Sequence, residues 1–233
     1  MYARTFDDDP YDFGVLGVEQ GTLILYDAQT HSRWSQLFGK ATEGVLSGQE
    51  LRKVPSTMAT WRQWRELHPE TTVYVKPGAD YSAEFTGQTF RDIASSPPGP
   101  VRPEDLIVGI EGHIAARAYL VRRLAGDRLV TDILESKPIL VYLSEDLATA
   151  KVYQRTLEDR ELTFRLLPEE QMEDAETGSR WDPLTGTALS GPLEGKQLSP
   201  VISTYSLWFA WKKYRPDTAL HGEEVPQTAP ASR

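Results

Sequence analysis

The sequence predicts an α+β, strand-rich protein made of two related copies of a small antiparallel-sheet domain, each carrying one Trp-rich helix. Three observations lead there. Asp27–Thr71 aligns with Asp174–Thr218 at an offset of 147 without a gap, and 20 of the 45 aligned residues are identical. Glycines recur at matched positions between short apolar stretches, which is the punctuation of turns between strands. Tryptophans recur at a spacing of three late in both copies, as on a helix with one face against a core.

Taken in order, the first copy opens with Tyr2, Arg4, Thr5, Asp8 and Phe13, which align with Tyr153, Arg155, Thr156, Asp159 and Phe164 at an offset of 151. The change of offset places four extra residues in the first copy before Asp27. Gly21–Tyr26 there is apolar and β-prone and is expected to be a strand. Gly39, Gly44 and Gly48 then pair with Gly186, Gly191 and Gly195 as turn positions. Leu37, Leu46 and Leu51 pair with Leu184, Leu193 and Leu198, expected on the core side of short strands. A helix follows in each copy. Ser56 or Thr57 is expected to cap the first and Ser203 or Thr204 the second, with Pro69 and Pro216 just beyond the ends. Met58, Trp61, Trp64 and Leu67 form one stripe, and Tyr205, Trp208, Trp211 and Tyr214 the other, both expected to pack.

Ahead of Tyr153 the second copy has strands expected over Leu106–Glu111, Ile114–Val121, Arg128–Leu134 and Pro138–Leu143, the first two joined through Gly112-His113. Nothing precedes Tyr2 to match them, so the chain reads as starting within a repeat. The expected organisation is a partial first copy at 1–75, a Pro/Gly-rich linker at 76–100, a complete second copy at 101–220 and a disordered tail at 221–233.

Composition narrows the chemistry. Lys plus Arg is 25 against 34 for Asp plus Glu, a net charge of −9, which is no footprint for a phosphate backbone; nucleic acid is not an expected partner. There is no cysteine, which removes disulfides, thiolate metal sites and cysteine nucleophiles. No apolar run is long enough to span a bilayer, and the first residues carry no signal-peptide pattern; as written the chain reads as cytoplasmic. The four histidines, His31, His68, His113 and His221, are scattered and define no metal site. His68 is expected to meet the last carbonyls of its helix, as Arg215 would in the other copy. No nucleophile elbow or phosphate loop is present, and Asp7-Asp8-Asp9 and Glu169-Glu170 read as solvated loops. No catalytic residue, metal or cofactor is expected.

The sharpest constellation is the duplicated Asp-Ala-x-Thr-x-Ser-Arg-Trp: Asp27, Ser32, Arg33 and Trp34, with Asp174, Ser179, Arg180 and Trp181. One reading gives Arg33 and Arg180 to a small anionic ligand, which a guanidinium grips bidentately, with Trp34 and Trp181 as pocket walls. The other makes Asp27 a turn residue paired with Arg33 and puts Trp34 in the core. A role needed in both copies favours the second.

Leu106-Ile107-Val108-Gly109-Ile110-Glu111 followed by Ala115-Ala116-Arg117-Ala118-Tyr119 resembles a hallmark segment of the prokaryotic family catalogued as domain of unknown function 3179. Ser32-Arg33-Trp34-Ser35-Gln36, the Gly-x4-Gly spacing, and Trp61-x-x-Trp64 with His68-Pro69-x-Thr71 are similar to its other hallmarks. The resemblance covers about Tyr2 to Thr218 and implies a tandem duplication with no activity to transfer. It also implies a Cys-Pro-x-Cys-Gly-Thr motif in fuller members, which often look exported. That motif is absent here, and the second copy has Tyr142-Leu143-Ser144-Glu145-Asp146-Leu147-Ala148-Thr149-Ala150 in its place. The expected function is a non-catalytic scaffold or ligand-binding module, with Asp27, Arg33, Trp34, Asp174, Arg180 and Trp181 around any ligand. The alternative is a remnant or fragment of a redox or metal-handling protein whose Cys-containing active centre lies in the missing N-terminal strands. An unpaired sheet edge in the first copy is expected to invite self-association.

Overall fold

The computed structural model describes residues 1–19, 22–75, 77 and 101–223. The chain separates into two compact units, Met1–Ser56 and Thr57–Arg233. The boundary falls ahead of the first Trp-rich helix, so that helix belongs to the second unit.

The first unit begins with a hairpin, β1 (Thr5–Phe6) and β2 (Asp9–Pro10), turned by Asp7 and Asp8 at φ of 49° and 66°. A four-stranded antiparallel meander follows: β3 (Phe13–Glu19), β4 (Thr22–Asp27), β5 (Arg33–Ser35) and β6 (Lys40–Glu43). The strand expected over Gly21–Tyr26 is β4, which runs on to Asp27. Trp34, Ala41 and Leu51 are its buried centre, with Tyr2, Phe6, Phe13, Leu25 and Leu46 packed around them. Phe13 meets the Trp34 ring edge-on at 5.7 Å.

The second unit opens with α1 (Trp61–Leu67). Next come β7 (Leu106–Glu111), β8 (Ala116–Leu120), α2 (Val121–Asp127), β9 (Leu129–Leu134), β10 (Lys137–Leu143) and β11 (Ala150–Gln154). A second small hairpin, β12 (Thr156–Leu157) and β13 (Arg160–Glu161), turns on Glu158 and Asp159 at φ of 49° and 61°. A second meander, β14 (Phe164–Leu166), β15 (Met172–Asp174), β16 (Arg180–Trp181) and β17 (Ala188–Ser190), leads to β18 (Ser203–Leu207), α3 (Trp208–Tyr214) and β19 (Ala219–Leu220). The strands β9, β10 and β11 form one sheet with β10 at its centre. Ile139, Val141 and Leu143 on β10 enter one core with Val108, Tyr119 and Leu124, while Leu140 enters the other with Tyr153, Phe164, Met172 and Trp181. Burial on both faces explains why this strand is an unbroken apolar run and not an alternation.

Several expectations on local structure are corrected. The α1 cap is Thr60, not Ser56 or Thr57: Gln63 N donates to Thr60 Oγ1 at 3.3 Å, and Thr60 N to Gln63 Oε1 at 2.9 Å, a reciprocal capping box. Likewise α3 begins only after Leu207, because Ser203–Leu207 pairs antiparallel with β7. Tyr205 and Met58 therefore lie outside the helices. The strand expected over Ile114–Val121 is shorter, and Val121 starts α2, a helix with no expectation in the sequence; Val121 and Leu124 are its buried anchors. Leu37, Leu46, Leu184 and Leu193 sit in turns, and of the six paired leucines Leu51 and Leu198 are the buried ones. The expected tail begins with three placed residues, His221–Glu223, and His221 N donates to Ala118 O at 2.8 Å. The rest of that tail, and the expected linker apart from Pro77, lie outside the described residues. Among the described residues no helix is long and apolar enough to cross a membrane.

Candidate functional site

Asp27 ends β4 where the chain must reverse into β5. Its carboxylate accepts Thr30 N at 2.5 Å, Thr30 Oγ1 at 2.9 Å, Ser32 N at 3.1 Å and Trp34 Nε1 at 2.8 Å. Asp174 has matching bonds. Asp174 accepts Thr177 N at 2.6 Å, Thr177 Oγ1 at 2.9 Å and Trp181 Nε1 at 2.9 Å. Ser32 Oγ accepts Leu46 N, and Ser179 Oγ accepts Leu193 N, both at 3.1 Å. His31 stands at φ 56° and the aligned Gly178 at φ 70°, so both turns require a left-handed residue, filled at 178 by glycine. Both aspartates are fully buried, with Trp34 and Trp181 beside them at 1% and 0% exposure. Burial raises the Asp27 carboxyl, and the bonds from Trp34, Thr30 and Ser32 together more than reverse this, leaving it below the ordinary range.

Arg33 does not pair with Asp27. Its guanidinium bonds Glu19 and, at 3.1 Å, Glu43. Arg180 points to solvent and makes no ion pair among the described residues. Asp27 and Trp34, like Asp174 and Trp181, are thus brought together, and the two arginines stand apart from them. A buried indole bonded to a buried carboxylate has no surface left for a ligand wall.

An open groove of about 740 Å³ lies elsewhere, between α1, the end of β10 with its following loop, and Asp182–Leu184. Thr149 Oγ1 donates to Gln63 Oε1 at 2.8 Å and Lys151 Nζ to Thr57 Oγ1 at 2.7 Å, which hold α1 on this wall. Tyr142 OH donates to Glu170 Oε2 at 2.5 Å, and Arg128 bonds the other oxygen of Glu170. Burial, then the hydrogen bond to Glu170 and its charge, raises the Tyr142 phenol, so it stays protonated. The loop after β10 is held by Ser144 Oγ donating to Asp146 Oδ1 at 2.6 Å and by Thr149 N donating to Ser144 Oγ at 3.0 Å. Glu66, Glu145, Asp146 and Asp182 set negative charge on the lining against Arg62, and Trp61 adds a half-exposed aromatic wall. The spacing of Trp61 predicts a packed stripe, whereas the ring is 47% exposed and lines the groove.

A smaller pocket of about 140 Å³ lies beside Tyr119 and His221. Asp132 accepts Tyr119 OH at 2.8 Å and lies 3.1 Å from His221 Nδ1, and the His221 ring stacks on Tyr119 at 5.1 Å. Burial raises the Asp132 carboxyl, and bonds from Tyr119, Ile133 N and His221 bring it below its usual value. His68, at the end of α1, meets the Trp64 ring at 4.2 Å with the planes tilted by 43°; Arg215 turns to Asp217. Among the described residues no three His, Asp or Glu side chains converge as a metal-ligand set.

The family model described as "Protein of unknown function (DUF3179)" matches residues 1–218, and the chain belongs to that family. No curated protein matches the chain, and no solved structure does.

Proposed function

We propose that this member of the DUF3179 family is a non-catalytic binding module made of two copies of one unit, and that its ligand is a small cation or a basic peptide side chain held in the groove beside α1. The groove carries the reading. Its Glu145 and Asp146 carboxylates are exposed, and the Trp61 ring, which already has the Arg65 guanidinium over it at 5.9 Å, adds an aromatic wall. The anionic ligand considered at Arg33 meets a guanidinium already paired with Glu19 and Glu43. The two-copy part draws support from the matched Asp27–Trp34 and Asp174–Trp181 bonds and from the paired hairpins turned at Asp7-Asp8 and Glu158-Asp159.

The test titrates the chain with tri-lysine and with inorganic phosphate, reading tryptophan emission. Tri-lysine is expected to bind, and Glu145→Gln with Asp146→Asn to weaken it about tenfold, an effect that fades with added salt. Phosphate binding without tri-lysine binding overturns the groove reading. For the two copies, the indole N–H signals of Trp34 and Trp181 are expected to exchange equally slowly; a fast Trp34 beside a slow Trp181 counts against equivalent units.

A further inference from the structure

The sheet ordered β18-β7-β8-β19 is assembled from two separate pieces of chain. The hairpin β7–β8 fills a two-strand gap between β18, which pairs antiparallel with β7, and β19, which pairs parallel with β8. Both framing strands and the helix α3 between them come from Ser203–Leu220. Trp211 closes the assembly. Its ring lies over Gly109 at the middle of β7, so close that a Cβ on that glycine would stand 2.6 Å from the ring carbons. Trp211 Nε1 donates to Thr218 Oγ1 at 2.8 Å, and Trp211 is fully buried.

Thr57–Val73 aligns with Thr204–Leu220 and repeats its internal geometry. Trp64 Nε1 donates to Thr71 Oγ1 at 2.9 Å. Thr71 N donates to His68 O at 3.1 Å, as Thr218 N does to Arg215 O at 3.0 Å. What differs is the gap. Thr57–Thr60 and Thr72–Val73 have no strand partner among the described residues. Trp64 is 42% exposed where Trp211 is 0%, and Val73 is 56% exposed where Leu220 is 3%. Met58, Leu67, Tyr74 and Val75 are exposed beside them.

We infer that Thr57–Val73 is a docking slot for a two-stranded β-hairpin of the Leu106–Leu120 kind, with a glycine seated under Trp64. A hairpin there pairs two backbone segments that have no strand partner among the described residues and covers the apolar stripe together. A second copy of the chain does not solve the problem: its described residues hold two slots and one such hairpin, so an exchange only moves the vacancy. The glycine requirement sets specificity, because any side chain at that point meets the indole.

This inference rests on the two-copy reading, and its test separates the two. The full chain is titrated with a synthetic peptide copying Leu106–Leu120, closed by a terminal cross-link so that the hairpin is preformed. One peptide is expected to bind per chain, shifting tryptophan emission to the blue and slowing amide exchange in Thr57–Thr60 and Thr72–Val75. Trp64→Ala is expected to weaken binding at least about tenfold, and a peptide carrying the Gly109→Val change not to bind. Equal binding of that valine peptide overturns the slot. So does strong protection of Thr57–Thr60 before any peptide is added, or a dimer in sedimentation that Trp64→Ala abolishes. Matched Trp34 and Trp181 exchange with no peptide binding overturns the slot alone, whereas unmatched exchange removes the two-copy reading first.

Discussion

Asp27 and Asp174 illustrate how much one buried carboxylate does in this protein. Each satisfies the donors of a turn and anchors a buried indole, so removing it leaves several buried N–H groups without an acceptor. Asp174→Ala is expected to lower unfolding free energy by about 3 kcal/mol, measured by urea titration at neutral pH. Asp105 acts differently, through charge. It is buried against Arg122 at 2.9 and 3.0 Å and also accepts from Arg102. Burial raises its carboxyl, and the arginine bonds outweigh that and bring it down to about 2. A depressed carboxyl stabilises the fold above its unfolded value and loses that contribution as pH falls toward the folded one. Stability is therefore expected to fall by about 2 kcal/mol between about pH 5 and pH 2 through Asp105 alone. An Asp105→Asn chain whose unfolding midpoint falls as steeply over that range would assign the loss to other groups.

At the scale of elements, each strand or helix takes its character from what covers it. On β7, Gly109 is the point where Trp211 closes on the sheet, and Gly109→Val is expected to destabilise by about 3 kcal/mol or more through overpacking. Thermal unfolding of the single variant measures it, and a smaller loss in Gly109→Val with Trp211→Leu identifies the ring as the cause. The edge strand β3 shows the opposite situation. Among the described residues it pairs only with β4, and it exposes Val15, Leu16 and Val18, an invitation to another strand. Val15→Lys with Val18→Lys is expected to suppress any concentration-dependent association seen by sedimentation, leaving the monomer's fold unchanged. These edges were partly legible beforehand. The glycine and tryptophan positions announced turns and packing, whereas the true start of α3 was hidden because its preceding residues pair with a strand nearly a hundred positions earlier.

On the scale of the molecule, the two units differ in how much apolar material they enclose. Met1–Ser56 centres on Trp34, Ala41 and Leu51, whereas the Thr57–Arg233 unit holds two larger clusters divided by β10. Less buried surface means lower local stability. Amides in Tyr2–Tyr26 are expected to exchange faster than those in Tyr153–Leu167, and equal protection in both would contradict this. The candidate site was the least legible part. Its walls come from α1, the loop after β10 and Asp182–Leu184, three segments with no shared sequence motif. His221 was assigned to a tail by composition, yet it stacks on Tyr119 and meets Asp132, a contact no local pattern announces.

What the sequence by itself determined are the structures whose partners lie within a turn or two of chain. The Asp-x-x-Thr-x-Ser-x-Trp closure is one, since every donor to Asp27 comes from the next seven residues. The left-handed turn at His31 and Gly178 is another. Tertiary structure alone decided the fates of Trp64 and Trp211. The two sit in aligned segments with the same internal hydrogen bond, and one is exposed while the other is buried. The difference is a β-hairpin brought from about a hundred residues away, and no local pattern records whether such a long-range partner is present.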